Sequence, residues 1–187
     1  MYNVPYYNPN PYYPHTPWCT CGRQTVYQPF NGLEYGHQDA YPQQTYQERV
    51  IFKDYGKEPF VINIEGAAEG NNTFRTALWT GEHLQVTLMS IDVGEDIGLE
   101  LHPDVDQFLR IEEGQGIVQM GGTKDNLNYQ KTVGEDDAIM VPAGKWHNLT
   151  NTGSKPLKLY SIYAPPEHPF GTVHETKAEA MAAEKQY

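Results

Sequence analysis

Residues 98–107 restrict the possible folds of this chain more than any other stretch. They read Gly-Leu-Glu-Leu-His-Pro-Asp-Val-Asp-Gln. Successive side chains of an extended strand point to opposite faces, so Glu100 and His102 share one face. Pro103 then favours a turn because its ring fixes φ, and the returning strand can place Gln107 opposite His102. The stretch therefore predicts a hairpin that gathers polar, metal-capable side chains on one face.

A second stretch supplies another histidine, and the two stretches together have a defined spacing. The first motif reads Gly94, five residues, Glu100-Leu101-His102, four residues, Gln107, six residues and Gly114. The second motif reads Pro142-x-Gly144, two residues, His147, three residues and Asn151. Both resemble the two motifs of the cupin superfamily, and the resemblance spans roughly residues 80–165.

The chain departs from the family's pattern at three positions. Glu100 stands where the family has its first histidine, and Gln107 stands where it has a glutamate. Asp136 stands where the second motif begins with glycine. The spacing of the first motif is kept throughout, so the first two departures change the type of ligand and not its place.

The resemblance implies an all-β fold, a cupin jelly-roll β-barrel, with a metal at its centre held by Glu100, His102, Gln107 and His147. Two imidazoles, one carboxylate and one amide oxygen form a mixed set that suits a divalent transition metal, namely Mn, Fe, Zn, Ni or Co. The alternative is a barrel without a metal, in which Glu100 and Gln107 only form hydrogen bonds. We favour the metal, because an unpaired buried carboxylate is costly and a cation removes that cost.

Short strand-like segments run through the middle of the chain and are separated by Gly, Pro and Asn, a pattern typical of a sandwich or barrel. Residues 60–64 form a short apolar run that predicts a strand. Residues 84–93 alternate as a half-buried strand does. Near the end of the chain, Thr176 and Glu179 have the spacing of a capping box, which predicts a short helix over residues 178–185.

The composition divides the chain into three parts. Residues 1–46 hold nine of the 14 tyrosines and seven of the 14 prolines, and they form a Tyr/Pro-rich N-terminal arm that cannot build a core by itself. Residues 47–170 are the predicted barrel, and residues 171–187 are a tail with the short helix. The arm is either a disordered tail or a segment whose tyrosines bind a neighbouring subunit or another protein. Its Cys19 and Cys21 are expected to be free thiols, with intermolecular cross-linking as the alternative.

Charge and hydropathy exclude several classes of partner. A formal net charge of -11 and a pI near 5.0 argue against nucleic acid and anionic membranes. No apolar run approaches the roughly 20 residues that span a bilayer. We therefore expect a cytoplasmic protein, with a spore coat as the alternative location. The outward apolar side chains expected at Leu99, Leu101 and Phe108 favour a homodimer or larger homo-oligomer.

Three functions remain open. The first is a metal-dependent cupin enzyme that acts on a small polar molecule in the barrel, with isomerase- or epimerase-like or dioxygenase-like chemistry. The chain resembles sequences labelled mannose-6-phosphate isomerase-like, but few Arg or Lys residues lie near the motifs to hold a phosphate. The second is a binding protein without turnover, and the third is a structural component such as a spore-coat cupin that assembles through the arm. His168 and His174 either line the barrel mouth or are ordinary surface residues.

Overall fold

The computed structural model describes residues 51–184, so the predictions for the N-terminal arm, Cys19 and Cys21 lie outside the described residues. Between residues 51 and 184 the chain forms nine strands and two short helices. The strands are β1 (Arg75–Thr80), β2 (Gln85–Ile91), β3 (Asp106–Glu113), β4 (Gln115–Gly121), β5 (Tyr129–Gly134), β6 (Ala138–Val141), β7 (Trp146–Asn151), β8 (Leu157–Ala164) and β9 (Val173–His174). The helices are α1 (Ile64–Gly70) and α2 (Lys177–Glu184).

The strands form two antiparallel sheets whose inner faces share one apolar core. The larger sheet has the order β6-β3-β8-β2-β1-β9, and the smaller has the order β5-β4-β7. Leu109 and Ile111 of the larger sheet lie in the same cluster of buried side chains as Val118 and Leu149 of the smaller sheet. This architecture, with its short C-terminal helix, confirms the predicted all-β jelly-roll barrel.

Strand β2 turns a partly polar face toward the interior. Gln85 and Thr87 are fully buried and share a face with Met89, which lies in the central core. Leu88, on the other face of the strand, packs in a second cluster with Ala67 and Ala68 of α1. Part of the barrel interior beside β2 is therefore polar, and buried polar side chains of this kind need partners there.

The strand predicted over residues 60–64 is wrong. The structure has no strand there, and the segment leads instead into α1, which begins at Ile64. The Asn63 side chain accepts a hydrogen bond from the Gly66 backbone N–H at 3.0 Å and so caps the helix. Val61 is 97% exposed, while Phe60 and Ile62 pack against the α1 cluster.

The C-terminal segment adds both a strand and the predicted helix. β9 pairs with the edge of β1, and this pairing places His174 opposite Arg75. The Thr176 hydroxyl then accepts a hydrogen bond from the Glu179 backbone N–H at 3.3 Å, as expected at the start of a capped helix. None of the helices between residues 51 and 184 has the length and apolar character that crossing a membrane requires.

Candidate metal centre

Backbone pairing places the first two site residues side by side. The Glu100 N–H donates to the His147 carbonyl at 3.1 Å, and the His147 N–H donates to the Glu100 carbonyl at 3.0 Å. Glu100 lies in an isolated bridge and not in a longer strand, whereas His147 lies within β7. Two residues that exchange both hydrogen bonds in an antiparallel pair lie directly opposite each other. Residues 47 positions apart in the chain are thus held together by their own main chains.

Three side chains converge inside the barrel. Nε2 of His147 lies 3.2 Å from Oε1 of Glu100, and Nε2 of His102 lies 3.5 Å from the same oxygen. All three ligand atoms lie within 4.8 Å of one another. The His102 and His147 side chains are 8% and 1% exposed, and that of Glu100 is 9% exposed. A carboxylate and two imidazoles therefore form one buried cluster that could hold a metal ion.

The far nitrogen of each imidazole is bound to a fixed acceptor. Nδ1 of His147 lies 3.0 Å from the Lys145 carbonyl oxygen. Nδ1 of His102 lies 3.0 Å from Oε1 of Glu167. Because a carbonyl or carboxylate oxygen can only accept, Nδ1 donates to it in both rings, and a cation would bind at Nε2, the nitrogen that faces the cluster, once that nitrogen is free of its proton. Outer hydrogen bonds of this kind orient the histidines of metal sites.

Gln107 also faces the barrel interior. Its side chain is buried, and its Nε2 donates a hydrogen bond to the Ser161 hydroxyl at 3.1 Å. Its Oε1 has no hydrogen-bond partner among the described residues. An amide oxygen left in this way is available to a cation or a bound molecule. Its place among the metal ligands stays a prediction.

Charge and burial shift the pKa values of the cluster. Burial alone would raise the pKa of Glu100, but hydrogen bonds from His102 and His147 and the charge of Arg75 outweigh burial and lower the pKa. Burial alone would lower the pKa of His102, yet its contacts with Glu100 and Glu167 raise that pKa to about 9. Nη2 of Arg75 lies 3.7 Å from Oε2 of Glu100. The carboxylate is thus held in its ionised form, as metal ligation requires.

A cavity of about 620 Å³ opens onto the cluster. Besides Glu100 and His102, it is lined by Leu99, Leu101, Trp146, Glu167, His168, Pro169, Thr172, His174 and Ala183. His168 and His174 therefore line the mouth of the barrel, which is the first of the two alternatives left open by the sequence. Trp146 supplies an aromatic wall beside them.

Aromatic rings close the inner end of this region. Tyr163 is fully buried and contacts the ring of His102 edge-on, with centroids 5.6 Å apart. Its other edge-on neighbour is His168, at 5.0 Å. Burial raises the pKa of Tyr163 to about 12, and burial with the charge of Arg75 lowers the pKa of His168 to about 3. At neutral pH the phenol therefore keeps its proton and His168 is uncharged.

The motif spacing did not reveal three residues of this region, namely Arg75, Tyr163 and Glu167. Arg75 left a weak signal, since it is the one charged residue in the strand-like segment 75–80. Glu167 lies in a proline-rich loop that carries no motif. Their contacts with the cluster depend on how distant strands pair.

Comparison with known proteins agrees with this architecture. A family model described as the cupin domain matches residues 87–163. The chain is 61% identical over 184 residues to the uncharacterized protein YrkC of Bacillus subtilis strain 168, covering 96% of this chain and 99% of that protein. It is 39% identical over 115 residues to the uncharacterized protein L612 of Acanthamoeba polyphaga mimivirus, covering 61% of this chain and 70% of that protein.

A solved structure extends the comparison to three dimensions. The crystal structure of BH2720 from Bacillus halodurans matches with a TM-score of 0.69 and 68% sequence identity. The match covers 70% of this chain and 98% of that chain. Together with the double motif and the two-sheet barrel, the family match identifies the domain. The chain contains a cupin domain over residues 87–163.

Proposed function

We propose that the protein binds a divalent transition metal through Glu100, His102 and His147, with Gln107 as a weaker fourth ligand. The observation that carries the proposal is that both Nε2 atoms face one oxygen of Glu100 while both Nδ1 atoms lie 3.0 Å from oxygen acceptors outside the cluster. Metal–ligand distances of about 2.0–2.2 Å place neighbouring ligand atoms roughly 3 Å apart. The separations of 3.2 and 3.5 Å fit that requirement.

The donor set also fits the proposed class of metal. Two imidazoles and a carboxylate suit Mn, Fe, Ni, Co or Zn, and the described site contains no thiolate, which would favour softer ions. The unpartnered Oε1 of Gln107 offers a neutral oxygen in the same interior. It would bind less strongly than a carboxylate, because it carries no charge.

The cavity above the cluster supports a small polar molecule as the bound partner. A divalent ion held there would polarise an oxygen atom of that molecule as a Lewis acid. Tyr163, which keeps its phenolic proton, lies against His102 and His168 at the inner end. Trp146 and Leu99 give the cavity apolar walls. Chemistry of the isomerase, epimerase or dioxygenase type is the enzymatic form of this proposal, and binding without turnover is the other.

The lining of the cavity argues against a phosphorylated substrate. Among the described residues that line it there is no Lys or Arg. Phosphate recognition usually relies on such cations. We therefore propose an unphosphorylated molecule that coordinates the metal with its own oxygen atoms.

Metal analysis tests the proposal directly. The full-length protein is purified without added metal or chelator, and its metal content is measured and compared with the protein concentration. We expect close to one divalent ion per chain, and iron would favour the dioxygenase form. A protein that is metal-free as purified and takes up none of the five metals on titration would overturn the proposal.

Substitution of the ligands ranks their contributions. We expect His102→Ala or His147→Ala to abolish stoichiometric binding and Gln107→Ala only to weaken it, because a neutral amide contributes less than an imidazole. Metal content and thermal melting are measured on each variant, since a ligand that binds only the folded state raises its melting temperature. Equal losses from all three substitutions would contradict this ranking.

A further inference from the structure

The loop that follows β8 delivers a carboxylate to the outer side of His102. Oε1 of Glu167 lies 3.0 Å from Nδ1 of His102, which is the nitrogen that faces away from the cluster. The Glu167 side chain is 30% exposed, whereas that of His102 is 8% exposed. Glu167 thus reaches from the surface into the cavity and contacts the imidazole from behind.

A fully buried glutamine holds this loop in place. Nε2 of Gln85 donates a hydrogen bond to the His168 carbonyl at 2.9 Å, and the His168 N–H donates to Oε1 of Gln85 at 3.0 Å. One side-chain amide therefore satisfies both backbone groups of His168, the residue next to Glu167. Gln85 spends its second N–H on the Thr80 hydroxyl at 2.8 Å. Such a two-point contact fixes the position and direction of the loop.

Two further features restrict the same loop. Asp54 accepts hydrogen bonds from the Thr80 hydroxyl at 2.5 Å and from the Gly171 N–H at 3.0 Å. Prolines at positions 165, 166 and 169 fix φ on both sides of Glu167. The carboxylate is therefore presented by a preorganised segment, which lowers the entropy that its contact with His102 costs.

We propose that Glu167, held in place by Gln85, is a positioning residue that sets the affinity of the Glu100–His102–His147 cluster for a divalent cation. This inference rests on the proposed function, since it assumes that the cluster binds a metal. Glu167 accepts a hydrogen bond from Nδ1 and so orients the ring with Nε2 toward the cluster. This hydrogen bond also makes Nε2 a stronger ligand for a cation. Changes at such outer partners weaken metal binding by about 10–100-fold in known sites.

The test measures the dissociation constant for Co²⁺ by titration of the chelator-treated full-length protein, followed by visible absorption. We expect Glu167→Ala to raise the constant by about 10–100-fold. Glu167→Gln keeps an acceptor oxygen at the same reach, and we expect it to restore much of the lost affinity. The melting temperature of each metal-free variant is also measured, so that a loss of stability from the missing His102 contact is separated from a loss of affinity.

Glu82→Ala serves as the matched control. It removes the same charge from a side chain that is 84% exposed and lies away from the cluster in the β1–β2 turn. We expect its dissociation constant to stay within about twofold of the wild type, as surface changes away from a site usually have little effect. A loss as large as that of Glu167→Ala would mean that net charge and not position is responsible, and would overturn the inference.

The role of Gln85 is tested by a double-mutant cycle. If Gln85 acts through Glu167, the single substitution Gln85→Ala weakens Co²⁺ binding. The same substitution causes no further loss in a protein that already carries Glu167→Ala. Additive losses would contradict the assigned route. Gln85→Ala also removes the partner of both backbone groups of His168. The variants at Glu167 keep the test decisive if the Gln85→Ala protein folds poorly.

The outcomes separate this inference from the proposal on which it rests. A wild-type protein that takes up no Co²⁺ or other divalent metal overturns the proposed function. A wild-type protein that binds Co²⁺, together with a Glu167→Ala variant that binds it equally well, overturns only the positioning role of Glu167.

Discussion

Among single residues, Asp136 shows how a departure from the family motif is tolerated. Its φ is 69°, in the left-handed region that glycine adopts most easily. The motif places glycine at this position, so the backbone conformation is kept while the residue type has changed. Aspartate is one of the few other residues that visit this region. Its exposed carboxylate pairs with Arg110.

We expect Asp136→Gly to leave the free energy of unfolding unchanged or to raise it slightly. The substitution relieves the left-handed backbone, and an exposed ion pair such as the one lost contributes little. Asp136→Ala keeps the unfavourable φ and loses the ion pair, and should lower stability by about 1 kcal/mol. Chemical denaturation measures both changes. A glycine variant less stable than the alanine variant would contradict this reading of the backbone.

Titration of His168 makes the stability of the protein depend on pH. Its folded pKa is about 3, against 6.5 for an unperturbed histidine. Between these values the unfolded chain binds a proton that the folded chain does not, so stability is fully present above pH 6.5 and falls as the pH is lowered toward 3. One group of this kind contributes a slope of at most about 1.4 kcal/mol per pH unit.

Replacement of His168 by phenylalanine isolates its contribution to the pH dependence of stability. His168→Phe keeps an aromatic ring against Tyr163 but cannot titrate. The free energy of unfolding of wild type and variant is measured by denaturation at pH 7, 6, 5 and 4. We expect the wild type to lose stability more steeply than the variant, and parallel slopes would show that His168 does not hold the buried neutral state described above.

Among the secondary-structure elements, helix α1 shows why the apolar run at residues 60–64 does not form a strand. Residues 60–64 are mostly apolar and β-branched, which favours a strand in a local pattern. Asn63 instead supplies an N-cap, and the following Gly-Ala-Ala stretch continues as a helix against Leu78 and Leu88. A local cap together with a long-range apolar contact therefore outweighed strand propensity.

Removing this cap should destabilise the protein by a measurable amount. Asn63→Ala leaves the Gly66 N–H without its side-chain acceptor and should cost about 1 kcal/mol. Asn63→Asp keeps an acceptor oxygen and adds a favourable charge at the helix start, so it should retain stability. Thermal melts of the two variants distinguish them, and an alanine variant as stable as the wild type would mean that packing alone holds α1.

At the scale of the whole molecule, assembly remains a prediction from the sequence. Leu99 is 44% exposed and Met140 is 64% exposed on the described surface. Exposed apolar side chains favour contact with another subunit where they form a contiguous patch. The tyrosine-rich composition of residues 1–46 favours contact over independent folding.

We expect deletion of residues 1–46 to leave a metal-binding barrel but to lower its oligomeric state. Every proposed ligand lies after residue 99, whereas both cysteines and most of the tyrosines lie before residue 47. Light scattering on full-length and truncated protein measures the mass of each. An equal number of chains per particle in the two proteins would contradict the role proposed for the arm. Loss of metal binding would show that the barrel needs the arm for its function.

The features of this protein that depend on local spacing can be predicted from its sequence. Alternation along an extended chain put Glu100 and His102 on one face, and the two motifs identified His147 and the barrel. The structure confirmed that these three side chains meet. Such features are readable because side-chain direction repeats every two residues in extended chain.

The residues that surround this cluster can be identified only in the folded chain. The contact of Gln85 with His168 joins residues 83 positions apart, and Glu167 reaches His102 from a loop that carries no motif. Arg75 and Tyr163 face the cluster because β1, β2 and β8 are neighbours in one sheet. Strand order and register arise from packing of the whole core, so no spacing within a short stretch specifies them.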